Sequence, residues 1–228
     1  MVKKIVGTGV LLVLALALQA GVKMYTLKSP DGKVKLEVTA GQGIAYSLFY
    51  DGRLLLKPSR IALHTDLPEA DHWENIRITG TKQRHVSETV QAPFYRVKEF
   101  GIDCNELELR LNNGFSLLMR AYNDGMAYRF VAGRKGEMTV VEERAEFNFA
   151  DDFEAYIPYS TNPKDPWNMA FQNFYTKAPL TQYNTELPAF LPLTVDAGAV
   201  KLTLLESDLE AYPGMFVCGD GKTPALKG

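Results

Sequence analysis

The sequence is poor in the residues that mark several functional classes. It contains only two cysteines and three histidines in 228 residues. Cys104 and Cys218 are too few and too far apart for the disulfide framework of a small secreted domain, so a single bridge and two buried free thiols both stay open. His64, His72 and His85 lack the spacing of metal-binding motifs, which favours ordinary loop or strand positions for them.

Strong charge is also missing, as is any long apolar run beyond the first twenty residues. The formal net charge is -2, and Lys and Arg are scattered, which argues against a nucleic-acid partner. Two lysines precede an apolar run from Val10 to Leu18, and Ala20 is the small residue that signal peptidases favour. We therefore predict a signal peptide over residues 1–20, a periplasmic or secreted protein, and no membrane span after cleavage. A membrane anchor is the alternative, although the run is shorter than the about 20 residues that a spanning helix needs.

Helical periodicity is scarce, and alternation of apolar and polar residues takes its place. Residues 107–111 alternate strictly, and glycine-containing turns at 113–114 and 123–125 predict a three-strand meander that ends near residue 132. The best helical candidate is the short segment 207–211. Many short strands separated by turn residues predict an all-β fold, either a sandwich or an open barrel, as one domain over residues 21–228. Further strands are predicted at 34–38, 76–83, 94–100, 139–148, 189–195 and 200–205.

One stretch, residues 157–187, departs from the alternation of apolar and polar residues that predicts strands elsewhere. It carries four prolines together with six aromatic residues, Tyr159, Trp167, Phe171, Phe174, Tyr175 and Tyr183. Prolines exclude a central strand, while so many aromatics are unusual for a simple linker. The aromatic side chains either stack on flat ligands such as sugar rings or dock on a neighbouring domain, or they fold inward as a small core of their own.

The meander carries a motif that resembles a known family. Residues 118–130, LMRAYNDGMAYRF, are similar to a signature of the N-terminal domain of glycoside hydrolase family 97, which comprises bacterial α-glucosidases and α-galactosidases. Residues 29–32, 93–96, 190–196 and 206–214 resemble further segments of that domain in the same order. The resemblance covers essentially the whole chain after the predicted signal peptide.

The resemblance implies a large antiparallel β-sandwich of the super-sandwich type with a long aromatic and proline-rich loop. This domain precedes a (β/α)8 barrel, which carries the catalytic carboxylates. The alternating β/α pattern of a barrel is absent from these residues, so no catalytic residue is nominated. We expect a non-catalytic domain, truncated at its C terminus and inactive by itself, that completes the active site of an α-galactosidase or α-glucosidase. Its expected partners are the barrel and an α-linked galactoside or glucoside, and the motifs look closer to the retaining, galactosidase-like members.

The resemblance also implies calcium in the active site of the full-length family, with one glutamate ligand from the long loop of the sandwich. Residues 170–176 match that segment, but Gln172 stands where the family has glutamate. A neutral amide oxygen can still coordinate calcium, with lower affinity than a carboxylate. Asp165 is a second candidate ligand, and a plain hydrogen bond within the loop is the alternative role for Gln172. Trp167 and Tyr175 are the candidate sugar-stacking residues.

Two other functions stay open from the sequence. A stand-alone periplasmic carbohydrate-binding module would use the aromatic loop as a stacking platform. A purely structural domain would instead pack on a partner polypeptide through Trp167, Phe171 and Phe174.

Overall fold

The computed structural model describes residues 22–94, 96–168, 172–207, 209–210 and 212–228. The predicted signal peptide, residues 1–20, lies outside the described residues. The described residues contain no helix with the length and hydropathy that crossing a membrane requires. Besides a 3₁₀ turn at Leu180–Gln182, they form the following strands: β1 Lys23–Lys28, β2 Val34–Gly41, β3 Gly43–Tyr50, β4 Arg53–Thr65, β5 Ile78–Gln91, β6 Glu99–Leu111, β7 Phe115–Tyr122, β8 Gly125–Ala132, β9 Val140–Asn148, β10 Glu154–Ile157, β11 Thr176–Pro179, β12 Leu193–Ala197, β13 Val200–Leu204, β14 Cys218–Gly219 and β15 Ala225–Lys227.

The strands form three antiparallel sheets around one hydrophobic core, which confirms the predicted all-β sandwich. A seven-stranded sheet has the order β1-β2-β3-β4-β9-β15-β14. Two four-stranded sheets have the orders β5-β6-β7-β8 and β11-β10-β12-β13. Leu36 of β2, Leu117 of β7 and Val195 of β12 are all fully buried in the shared core. Arg53 of β4 also donates to the carbonyl of Ala197 in β12 at 2.6 Å, which ties the large sheet to the second small one.

The predicted meander is present as β6, β7 and β8. Every second residue of β7 is buried, as expected for a strand with one face on the core. Gly114, with φ of +87°, makes the turn between β6 and β7 in the left-handed conformation that favours glycine. Tyr128 of β8 points inward, with its ring centre 6.0 Å from that of Tyr46, and Arg129 lies on the exposed face. Tyr128 and Arg129 of the motif therefore lie on opposite faces of β8.

Three local predictions were wrong. Of the strand predicted at 94–100, only Glu99 and Phe100 belong to a strand, β6. The described residues before them form the turn of a long β5–β6 hairpin, closed by a hydrogen bond from Ala92 N to Lys98 O at 2.7 Å, and Tyr95 lies outside the described residues. The helix predicted at 207–211 is absent from its described residues, where Glu210 has a φ of +29°; Asp208 and Ala211 lie outside them. The strand predicted at 189–195 begins only at Leu193.

Cys104 and Cys218 are both free, so the disulfide alternative was wrong. Cys104 is buried as expected for a free thiol on a strand, whereas Cys218 is exposed. Pro179 ends β11, which is an edge strand of its sheet, and an edge tolerates the missing N–H donor of proline.

Candidate functional site

The candidate site is the loop of residues 158–175, here called the aromatic loop, which connects β10 to β11. Its base is fixed to the scaffold by backbone hydrogen bonds. Ser160 N donates to Pro188 O at 2.8 Å, and Phe190 N donates to Pro158 O at 3.1 Å. The side-chain amide of Asn173 donates to Tyr159 O at 2.7 Å, which draws the two ends of the loop together. The loop therefore starts and ends on rigid strands.

Some of the aromatic residues of this region fold inward. The rings of Tyr159 and Tyr183 are buried and meet edge to face, with centroids 5.0 Å apart. Tyr183 OH donates to Val217 O at 2.7 Å, and Tyr159 OH accepts from Asn184 N at 2.7 Å. Burial raises the pKa of both phenols, so they stay neutral hydrogen-bonding groups at physiological pH. For these two residues the small inward core is the correct interpretation.

Other aromatic residues of the loop face solvent. Trp167 is 59% exposed, Phe174 is 95% exposed and Tyr175 is 44% exposed. Tyr175 OH donates to Pro192 O at 3.2 Å, which holds its ring beside the segment that enters β12. Phe171 lies outside the described residues. The inward interpretation therefore holds for Tyr159 and Tyr183, whereas stacking on a sugar or docking by the exposed rings stays a prediction.

A second segment, residues 205–217 between β13 and β14, adjoins the aromatic loop. The Trp167 ring meets the Phe216 ring edge to face, with centroids 5.0 Å apart. Both carboxylate oxygens of Glu206 lie 2.9 Å from Met215 N, so this side chain holds the two ends of the segment together. Neither Glu206 nor Phe216 was predicted as a site residue, although Glu206 opens one of the recognised motifs.

The four residues predicted for ligand contact all lie on the aromatic loop and are exposed: Asp165, Trp167, Gln172 and Tyr175. Calcium requires six to eight oxygen ligands. The part of the chain that the structure describes contains no group of three or more His, Cys, Asp or Glu side chains able to hold a metal ion. One amide and one carboxylate do not complete a calcium site, so these residues do not fit the ion by themselves. The ligand roles of Gln172 and Asp165 stay predictions.

Several carboxyl groups are held in the ionised form, which is the opposite of what a general acid needs. The Lys201 ammonium beside Asp196 lowers the pKa of that carboxyl. The Arg134 guanidinium lowers the pKa of Glu69, and the backbone N–H groups of Thr223 and Lys222 lower the pKa of Asp220. These groups serve as structural hydrogen-bond acceptors.

A groove of about 470 Å³ lies away from the aromatic loop, between β1 and the β5–β6 pair. At its wall Glu106, whose side chain is 5% exposed, accepts from Arg84 Nε at 2.6 Å and from Arg120 Nε at 2.8 Å. Burial would raise the pKa of Glu106, but the two guanidinium groups outweigh burial and lower it. The carboxylate joins three neighbouring strands, because Arg84 lies on β5, Glu106 on β6 and Arg120 on β7.

Comparison with known proteins gives concordant matches. The profile of the family described as glycosyl-hydrolase 97 N-terminal matches residues 27–227. A retaining α-galactosidase of Bacteroides thetaiotaomicron is 41% identical over 209 residues, which are 89% of this chain and 31% of that protein. A glycoside hydrolase family 97 enzyme of Pseudoalteromonas sp. strain K8, solved with panose, has a TM-score of 0.73 at 19% identity, over 89% of this chain and 31% of that one. A β-arabinopyranosidase has a TM-score of 0.75 at 20% identity, over 90% of this chain and 35% of that one. The chain thus spans about a third of the length of each of these proteins.

Proposed function

Because the chain belongs to the glycosyl-hydrolase 97 N-terminal family, we propose that it serves an exported α-galactosidase as the non-catalytic β-sandwich that completes the active site of a separate catalytic portion. The observation that carries the proposal is the 41% identity to a retaining α-galactosidase, confined to 31% of that protein. The remainder of such a relative is long enough for a (β/α)8 barrel, whose typical length is about 250 residues. The catalytic carboxylates belong to that remainder.

An α-galactoside is the substrate class that the comparisons favour. The relative named for α-galactosides is 41% identical, whereas the structure solved with panose is 19% identical and supports the fold alone. The match includes the aromatic loop, because it covers 89% of the chain. The proposed enzyme therefore takes α-galactosides in preference to α-glucosides.

The aromatic loop is the part of this chain that we assign to the active site. Trp167, Phe174 and Tyr175 present apolar rings to the outside from a base that the scaffold holds rigidly. Such rings can stack on a sugar or pack on the catalytic portion with little loss of side-chain entropy. Gln172 lies between them in the sequence, and we propose that its amide oxygen is this chain's contribution to calcium binding. The other ligands would belong to the catalytic portion.

The exposed rings also favour a second candidate function, a stand-alone carbohydrate-binding module. Two measurements on residues 22–228 separate the candidates. The first is hydrolysis of p-nitrophenyl α-D-galactopyranoside, and the second is calorimetric titration with melibiose and raffinose. The proposed function predicts no hydrolysis and no binding heat from the folded chain alone.

Each of the other results has a definite meaning. Hydrolysis by the chain alone would contradict a non-catalytic role. Binding heat that disappears in Trp167→Ala and persists in a distant control, Val141→Ala on β9, would establish the module instead. Val141 suits as the control because it is exposed and lies outside the aromatic loop and the 205–217 segment.

A further inference from the structure

The four-stranded sheet β5-β6-β7-β8 ends in a strand whose core face is incompletely covered. On β7, the inward residues Leu117, Met119 and Ala121 are fully buried. On the adjacent edge strand β8, the inward residues Tyr128 and Phe130 pack against the same core but are only half-buried. The exposed fraction of the inward residues therefore increases from β7 to β8, at the edge of the sheet.

The other four-stranded sheet shows the same pattern at β13. The inward residues Leu193 and Val195 of β12 are fully buried. On the edge strand β13, the inward residues Val200, Leu202 and Leu204 are half-buried while they pack on the core. Each of the two small sheets therefore has one edge where apolar core residues stay partly open to solvent.

Among the described residues, β8 pairs with β7 alone and β13 with β12 alone. An edge strand of this kind has no partner strand on its outer side, and its outer backbone N–H and C=O groups can pair with an added strand. A strand that alternates apolar and polar residues would satisfy those groups and cover the half-buried core residues at the same time.

The outer edge of β5 shows that exposure alone does not indicate such a site. Residues 87–91 of β5 are exposed throughout, and Gln91 bonds to Glu99 of its own hairpin. A strand added there would meet no core residues. By contrast, β8 and β13 offer a core face and a hydrogen-bonding edge together.

We propose that β8 and β13 are strand-acceptor edges, and that each pairs with a β-strand from the polypeptide that lies beyond the matched region in the longer relatives. This inference rests on the proposed function. Two observations favour that occupant over a second copy of the chain. The half-buried residues belong to the main core of the sandwich, so a strand that covers them becomes part of one fold. The α-galactosidase relative also has more than two thirds of its length outside the match, since the chain spans 31% of it.

The test uses hydrogen–deuterium exchange on two proteins. One is residues 22–228 alone, and the other is a chimera in which these residues replace the matching region of the Bacteroides α-galactosidase. Amides of β8 and β13 should exchange at least about tenfold more slowly in the chimera than in the isolated chain, because the outer edge amides gain hydrogen bonds to the added strand. Amides of the central strands β7 and β12 are the matched control, and their exchange should change far less.

Two outcomes would overturn the inference. Unchanged exchange at either edge in a folded chimera would show that no strand pairs with that edge. Protection of either edge in the isolated chain that grows with protein concentration would identify a second copy as the occupant. Hydrolysis of p-nitrophenyl α-D-galactopyranoside is recorded on the same chimera. An active chimera with unprotected edges refutes the acceptor edges alone, and a folded, inactive chimera with protected edges refutes the proposed function alone.

Discussion

Replacing Glu106 with glutamine should destabilise the fold by about 2–3 kcal/mol at neutral pH. The Glu106 carboxylate is nearly inaccessible to water and accepts one hydrogen bond on each oxygen, from Arg84 and from Arg120. Glutamine keeps the shape of the side chain but removes the charge, and its amide nitrogen then faces one of the two guanidinium donors. Glu106→Gln therefore tests whether this cross-strand network stabilises the first small sheet.

The two arginines should contribute unequally to that cost. Arg120 is the less exposed of the two, at 26% against 53% for Arg84. A hydrogen bond to a charged group contributes about 1.5–3 kcal/mol when it is shielded from water, whereas an exposed ion pair contributes about 1 kcal/mol or less. The Arg120–Glu106 contact should therefore supply most of the loss. Arg120 keeps its interaction with Tyr122 in the variant, which limits the loss in the free energy of unfolding to about 2–3 kcal/mol.

The effect should depend on pH in a defined direction. The pKa of Glu106 in the folded chain lies below its ordinary value of 4.5, because the attraction of the two arginines outweighs burial. A carboxyl group of this kind stabilises the fold above the unfolded pKa and loses that contribution as the pH falls through the folded pKa. Glutamine does not titrate, so the gap between wild type and variant should narrow below about pH 4.5.

Urea unfolding, followed by circular dichroism from pH 7 to pH 3.5, measures these quantities. Double-mutant cycles with Arg120→Met and Arg84→Met give the two coupling energies separately. The reasoning fails if Glu106→Gln unfolds within about 0.5 kcal/mol of wild type at pH 7, which is the range of ordinary surface substitutions. It also fails if Arg84 couples to Glu106 more strongly than Arg120 does.

Two further predictions concern the surroundings of the aromatic loop. Gly219→Ala should lower the free energy of unfolding by about 1–3 kcal/mol, because its new Cβ would lie 2.7 Å from the Tyr183 ring. The control Gly101→Ala meets no atom within 4 Å and should change the free energy of unfolding by no more than about 0.5 kcal/mol. Equal thermal unfolding midpoints for the two variants would contradict this prediction. Trp167→Ala should lower stability by about 1 kcal/mol through its lost ring contact, and the more exposed Phe174→Ala by less than about 0.5 kcal/mol. In the chimera both should nevertheless reduce kcat/KM for the galactoside, and wild-type values in both would remove the loop from the active site.

The sheet elements with the clearest local signals were predictable from the sequence. Strict alternation from Leu107 to Leu111 and the Asn113-Gly114 turn define the meander, because strand faces and tight turns depend on neighbouring residues alone. The strand predicted at 94–100 was wrong, because apolar residues at an exposed hairpin turn give the same sequence pattern as a short strand. The connection between β5 and β6 also spans seven positions, 92–98, and lacks the glycine pair that marks a two-residue hairpin turn.

The long-range features were not predictable from the sequence. Which aromatic side chains turn inward depends on distant partners. The Tyr183 ring is buried and its hydroxyl donates to Val217 O, whereas the Trp167 ring is 59% exposed and meets the Phe216 ring edge to face. The Glu106 network depends in the same way on the register of three strands. The family motifs at 170–176 and 206–214 overlap the aromatic loop and the 205–217 segment, but the contact between these two segments exists only in three dimensions.

The most direct test of the central claim is the hydrolysis of p-nitrophenyl α-D-galactopyranoside by three proteins under the same conditions. They are the isolated chain, the chimera with the Bacteroides enzyme, and that enzyme without its matching region. If this chain completes the active site of a separate catalytic portion, the chimera hydrolyses the galactoside while the isolated chain does not, and the enzyme without the region is far less active than the chimera. Hydrolysis by the isolated chain, or a folded chimera no more active than the enzyme without the region, would contradict the claim.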